Sequence, residues 1–248
     1  MDPTMKKTLL LHRCLVAFLL VQPALVFAQS NPENSTPATT TPVPRTGKWM
    51  QRHETINDRA TSGDVDVIFL GDSITQGWER SGKDVWTKYF APLNAMNAGI
   101  GGDRTQHVLW RLDHGNIKGI SPKAAVLMIG TNNSGSDSSE QIAAGIRAIV
   151  EKIRSDLPKT KVLLLAIFPR GQSPDDTKRK VNEGANEMIK ELDDGEYVFY
   201  LDIGPKFLTA DGTLEKKIMP DLLHLSPEGY EIWATSILPK LHTLMNHP

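Results

Sequence analysis

Short runs of apolar residues, rich in Val, Ile, Leu and Phe, alternate along this chain with longer stretches whose apolar side chains return every three or four positions. No other feature restricts the fold as much. The short runs read as strands and the three- and four-residue period reads as helices. Strands are predicted at 65–70, 94–98, 124–129, 161–168 and 197–202, separated by helices at 84–90, 105–112, 138–155 and 175–193. A helix over 48–60 leads into the first strand, and a last helix starts at Ser226-Pro227, where a serine cap precedes proline in the first turn. Ile142, Ile146, Ile149, Val150 and Ile153 share one face of their helix, as Tyr230, Trp233, Ile237, Leu241 and Leu244 do on the last. Parallel strands need crossover connections, so this alternation predicts an α/β fold with a parallel sheet covered by helices on both faces. Loops at the carboxyl ends of such strands form the binding rim.

The 248 residues are 40% hydrophobic and 23% charged, an ordinary composition for one globular domain, here expected over 47–248. A formal net charge of −1 gives no electrostatic footprint for nucleic acid or for an anionic membrane. The first 28 residues differ: Lys6, Lys7 and Arg13 precede an apolar stretch from Cys14 to Phe27, and Val26-Phe27-Ala28 has the form of a signal-peptidase site. This reads as a secretory signal cleaved after Ala28, so that the protein is secreted or periplasmic and not stably inserted in a membrane. The alternative is a retained anchor, but the stretch is short for a span and Pro23 interrupts it. Cleavage would remove the one cysteine, Cys14, leaving a chain without disulfides. Residues 29–46 are rich in Thr and Pro and read as an extended linker, because such a composition buries little apolar surface.

Four strand ends carry polar residues that a structural role alone does not require. The first strand runs into Gly71-Asp72-Ser73, the second into Gly99-Ile100-Gly101-Gly102-Asp103, and the third into Gly130-Thr131-Asn132-Asn133. Asp221-Leu222-Leu223-His224 stands just before the last helix. Singly, each has a plain reading as a turn or a helix entry. Together they supply a serine, a base with an acid beside it, and amide donors. Serine is unreactive until a base takes its proton. A spacing of three on a helical turn would set Asp221 beside His224, fix the imidazole tautomer and leave the other ring nitrogen toward a serine. Adjacent glycines would let a backbone N–H point into the site. The glycine spacing is not that of a dinucleotide fingerprint and no P-loop lysine follows. Nor is the serine motif the G-x-S-x-G elbow, because Thr75 stands where the second glycine would be.

These four segments resemble the blocks of the SGNH (GDSL-type) hydrolases, and the resemblance spans nearly all of residues 50–245. The wording from Asn97 to Leu112 and Gly130-Thr131-Asn132-Asn133 is most similar to the branch containing platelet-activating-factor acetylhydrolase catalytic subunits. The resemblance implies a three-layer α/β/α fold of flavodoxin type with about five parallel strands. It implies Ser73 as nucleophile, His224 as general base and acid, and Asp221 as the group that orients His224. It implies an oxyanion hole formed by the backbone N–H groups of Ser73 and Gly102 and the side-chain amide of Asn132, with no metal and no organic cofactor. It also admits a homodimer, since the mammalian subunits pair. The expected activity is hydrolysis of short-chain, acetyl esters, with O-acetylated carbohydrate as substrate. A phospholipid, lysophospholipid or platelet-activating-factor-like ester is the second candidate, and a non-catalytic carbohydrate- or partner-binding module the third. The other histidines have no zinc-ligand spacing. Trp78 and Trp110 are expected in the core, with the cleft as the alternative.

Overall fold

The computed structural model describes residues 38–246. The signal sequence expected at 1–28 and the start of the expected linker lie outside the described residues. Among the described residues β1 (Val67–Gly71), β2 (Ala95–Gly99), β3 (Ala124–Met128), β4 (Lys161–Leu165) and β5 (Val198–Leu201) form one parallel sheet in the order β2-β1-β3-β4-β5. The chain winds outward from β1 to β2, then crosses back to β3 on the other side of β1. Strand order reverses there, so the carboxyl ends of β1 and β3 border the crevice where such sheets bind ligands.

Helices α1 (Lys48–Thr61), α4 (Thr105–Arg111), α5 (Ser139–Asp156) and α6 (Thr177–Ile189) pack on one face of the sheet. Helices α2 (Ser73–Gln76), α3 (Lys83–Tyr89) and α7 (Pro227–Asn246) pack on the other. The sheet divides its own side chains by the two-residue strand period: Ile68, Leu70, Ala125 and Leu127 join the first core, while Val67, Phe69, Val126 and Met128 join the second. Each fully buried Val, Leu, Ile or Phe contributes about 1.5–3 kcal/mol, so two apolar layers hold this chain together without disulfides. Trp78 lies in the second core at 1% exposure, and Trp110 is half-buried against the first with His114 stacked on its ring.

The order of the strands and longer helices read from the sequence is the one found, with the single-turn α2 added to it, and two further differences stand out. The strand expected at 161–168 leaves the sheet after Leu165, because its neighbour β5 ends at Leu201 and offers no further ladder partner beyond the bond from Ala166 N–H to Leu201 O. The second difference concerns the linker expected over 29–46. Its described part, 38–46, is seated on the domain. Thr39 is fully buried, its carbonyl accepts from Thr105 Oγ1 at 2.8 Å, and Val43 N–H donates to Gln106 O. Thr/Pro composition predicted an extended segment, but an extended backbone can still be captured when a helix leaves it room. Gly145 of α5 does so: a Cβ there would lie 2.8 Å from Thr39 O.

Candidate active site

Only Asp72 separates the end of β1 from the start of α2, so Ser73 opens a helix directly at a strand end. The sequence reading placed Ser73 just past a strand and named no helix there, because α2 is a single turn, too short to carry a periodic signal. Asp72 Oδ1 accepts the Ile74 N–H at 2.9 Å and caps it. Helix α2 lies directly on the strand ends because Gly71 and Gly99 have no side chains. A Cβ would stand 2.1 Å from Thr75 Oγ1 at the first and 2.3 Å from Gln76 N at the second. From α7, the Tyr230 hydroxyl donates to Ile74 O at 2.6 Å and ties the far side of α2 down.

Asp221 and His224 reach Ser73 through a loop rather than the helical turn expected. Leu222 has φ 60°, a left-handed conformation that costs a residue with a Cβ about 1–2 kcal/mol and ends any helical path. Asp221 Oδ1 instead accepts the backbone N–H groups of Leu223 at 3.1 Å and His224 at 2.7 Å, the local closure that aspartate side chains favour in turns. That leaves Asp221 Oδ2 facing His224 Nδ1 at 2.6 Å, and His224 Nε2 facing Ser73 Oγ at 2.9 Å. A carboxylate only accepts, so Nδ1 carries the proton and Nε2 is left to accept from the serine hydroxyl. Burial alone would raise the Asp221 carboxyl. The hydrogen bonds from the His224 ring and backbone outweigh that and hold it below the ordinary value. Both side chains are about half exposed, 56% for Asp221 and 43% for His224, so the pair opens to solvent.

The loop after β2 comes to the same place. Gly102 has φ +75°, which only glycine adopts without strain, and its backbone is exposed. Asn132, just past β3, donates from Nδ2 to Asp103 O at 2.9 Å and so packs against this loop, its second N–H without an acceptor among the described residues. Among the described residues no acceptor sits on the backbone N–H of Ser73 or of Gly102. Gly101 Cα lies close to Ser73, since a Cβ on it would be 3.8 Å from Ser73 Cβ. All five residues singled out from the sequence therefore belong to one neighbourhood at the strand ends.

Beneath this rim lies a layer of buried charge that the sequence reading missed. Arg111 is completely buried. Its Nε donates to Asp103 Oδ2 at 2.8 Å, Nη1 to Ala98 O at 2.9 Å and to Asn116, and Nη2 to Gly71 O at 3.3 Å. One guanidinium thus ties the ends of β1 and β2 to the glycine loop. Asp103 Oδ1 takes a further bond from Trp49 Nε1. Burial raises the Asp103 carboxyl and lowers Arg111, and each opposes the shift of the other. The signal for Arg111 was present: an arginine between Val108 and Leu112 on the apolar face of a helix has to find buried acceptors. His107 is likewise structural. Its Nδ1 accepts the Arg104 N–H at 3.0 Å, and burial with the nearby charges of Arg45, Arg104 and Arg111 pushes it down to about 4.

Asp72 is the other buried acid. It is fully enclosed, and its Oδ2 has no hydrogen-bond partner among the described residues. Burial pushes its carboxyl up to about 7; the Ile74 N–H opposes this and the Asp103 charge adds to it. No group of three His, Cys, Asp or Glu side chains converges on a metal-sized point among the described residues. A groove of about 1050 Å³ lies at the opposite end of the sheet between Leu112, Lys118, Pro122, Pro158 and Leu244. It contains none of the residues at the strand carboxyl ends.

Residues 69–232 match the model of the GDSL-like lipase/acylhydrolase family. The human platelet-activating factor acetylhydrolase IB subunit alpha1 is 38% identical over 218 residues, covering 88% of this chain and 90% of that protein. Among solved structures, a carbohydrate acetylesterase from Sinorhizobium meliloti is similar with a TM-score of 0.58 at 18% identity, over 73% of this chain and 99% of that one. An acetylxylan esterase from Geobacillus stearothermophilus gives 0.57 at 17% identity, over 75% and 96%. At those identities the two structures speak for the fold alone.

Proposed function

The chain belongs to the GDSL-like lipase/acylhydrolase family and is an ester hydrolase, and from that premise we propose a serine esterase that works through Ser73, His224 and Asp221. The observation that carries the proposal is the continuous path from Asp221 Oδ2 to His224 to Ser73 Oγ, with contacts of 2.6 and 2.9 Å. His224 Nε2 takes the serine proton as Oγ attacks the ester carbonyl carbon, and Asp221 stabilises the imidazolium so formed. The carbonyl oxygen becomes an oxyanion, which the N–H groups of Ser73 and Gly102 and the free amide hydrogen of Asn132 receive. Collapse breaks the ester bond, and the leaving alcohol takes its proton from His224. Water, with His224 again as base, then releases the acid from the acyl-serine and restores the enzyme.

The substrate we propose is a short acyl ester, an acetyl group on carbohydrate, met outside the cytoplasm after removal of the N-terminal signal. Proteins named as a carbohydrate acetylesterase and an acetylxylan esterase share this fold, so the fold is compatible with such a substrate. A second reading, an acetyl ester on a phospholipid, is supported by the platelet-activating factor acetylhydrolase name of a 38% identical relative. A panel of p-nitrophenyl esters of increasing acyl length, run beside acetylated xylo-oligosaccharides and an acetylated phospholipid, separates them, with Ser73→Ala as the blank. Acetyl-limited activity with release from the oligosaccharide supports the first reading. Preference for the phospholipid overturns it. Failure of a serine-directed phosphonate to label Ser73 would overturn both and leave a binding module.

A further inference from the structure

Gly102 N–H belongs to the same peptide unit as the Gly101 carbonyl. A trans peptide is planar, so the N–H and the C=O point in opposite directions and fixing one aims the other. With glycine on both sides, little restrains that unit from turning over. A turned unit would point a carbonyl oxygen at the place where the oxyanion forms, replacing a donor with a repulsive acceptor. Something must therefore hold the Gly101 carbonyl outward.

Arg45 does so. Its Nη1 donates to Gly101 O at 2.9 Å, and the nitrogen edge of the guanidinium lies against Gly102, where a Cβ would stand 3.1 Å from Nη1 and 3.4 Å from Nη2. The guanidinium is itself located by the buried Asp103 carboxylate, 3.7 Å from Nη1. On the other side of the same glycine, Gln76 Oε1 accepts the Gly101 N–H at 2.8 Å. The segment that delivers Arg45 is pinned through Thr39 and Val43 to α4.

We propose that Arg45 is a positioning residue that latches the Gly101–Gly102 peptide with its N–H turned into the site, so that the segment before α1 completes the oxyanion hole. A charged donor on the carbonyl also polarises that peptide and strengthens its N–H as a donor. The latch rests on the reading of Gly102 as an oxyanion donor.

The test compares wild type, Arg45→Ala and Arg45→Lys for kcat and KM on p-nitrophenyl acetate, and follows the Gly102 amide by ¹H–¹⁵N NMR as a phosphonate adduct forms on Ser73. One oxyanion donor is worth on the order of 10²–10³ in turnover. A donor aimed correctly only part of the time should therefore cost roughly 10–100-fold in kcat, with KM little changed. Arg45→Lys should recover part of the loss, and the downfield move of the Gly102 amide seen in the wild-type adduct should shrink in Arg45→Ala. Arg45 is partly exposed, so thermal unfolding of the variants should match wild type. Unchanged kcat with an undiminished Gly102 shift in Arg45→Ala overturns the latch alone. A wild-type adduct in which the Gly102 amide does not move overturns the oxyanion role of Gly102 and the latch with it.

Discussion

Replacing Asp72 by asparagine should stabilise this protein, and the gain should grow with pH. Asp72 is fully buried, one of its oxygens has no partner among the described residues, and burial pushes its carboxyl from 3.8 up to about 7. For an acid raised in this way, the folded state binds the proton more tightly than the unfolded chain. Its contribution to stability is complete below about 3.8 and is lost as pH rises through about 7. The gap corresponds to a loss on the order of 4 kcal/mol, complete above pH 7, as an upper figure. Asparagine keeps the oxygen that accepts the Ile74 N–H and removes the ionisation. It leaves an unpartnered buried N–H₂ that costs about 1–3 kcal/mol, but this cost is the same at every pH. Urea unfolding of both proteins at intervals from pH 5 to pH 9 isolates the titration as the change in their difference. The asparagine variant should gain steadily on wild type up to about pH 7 and hold a constant advantage above it. A difference that stays flat across this range would refute the assignment of a raised ionisation to Asp72. A difference that falls with pH would reverse its sign.

Asn132→Ala should lower kcat on p-nitrophenyl acetate by roughly 10²–10³ while leaving the unfolding midpoint close to wild type, since one amide donor is lost from the rim. Ser73→Ala or His224→Ala should cost roughly 10⁴–10⁶ in kcat, and pairing the two should cost little more, as expected of groups acting in one step. Arg111→Met should destabilise by about 3–5 kcal/mol in urea titration, because it strands the Asp103 carboxylate in a dry site. The double variant Arg111→Met with Asp103→Leu should recover much of that stability yet stay inactive, the glycine loop having lost its tie to the strand ends. Recovery of both stability and activity would show that the ion pair does not position the loop.

What could be read along the chain was whatever is written locally. A strand or a helix declares itself by the spacing of apolar side chains over a handful of neighbours, so the order of elements and the two-sided sheet followed from periodicity. The segments that hold Ser73, Gly102, Asn132, Asp221 and His224 could be singled out for the same reason: each stands just beyond a run that periodicity had already marked as a strand, or just ahead of the last helix, and the family resemblance then implied which residue in each segment acts. Where local patterns misled, the missing information was long-range. Asp221-x-x-His224 suggested a helical turn, but the left-handed Leu222 makes it a loop held by the Asp221 carboxylate. The Thr/Pro segment had no apolar face to announce its docking, which depends on a glycine gap in α5 over 100 residues away. Nor does any local pattern disclose that Arg111 reaches back 40 residues to Gly71 O.

The sequence alone determined the class of fold and which strand ends carry chemistry, because hydrophobic period and turn residues act between neighbours. Tertiary structure decided the rest. It brought Ser73 to His224 across 151 positions, buried Asp72 with no partner for one oxygen among the described residues, and set Arg45 against the glycine loop. Those outcomes follow from strand order and from the filling of a close-packed interior, and both are properties of the whole chain at once.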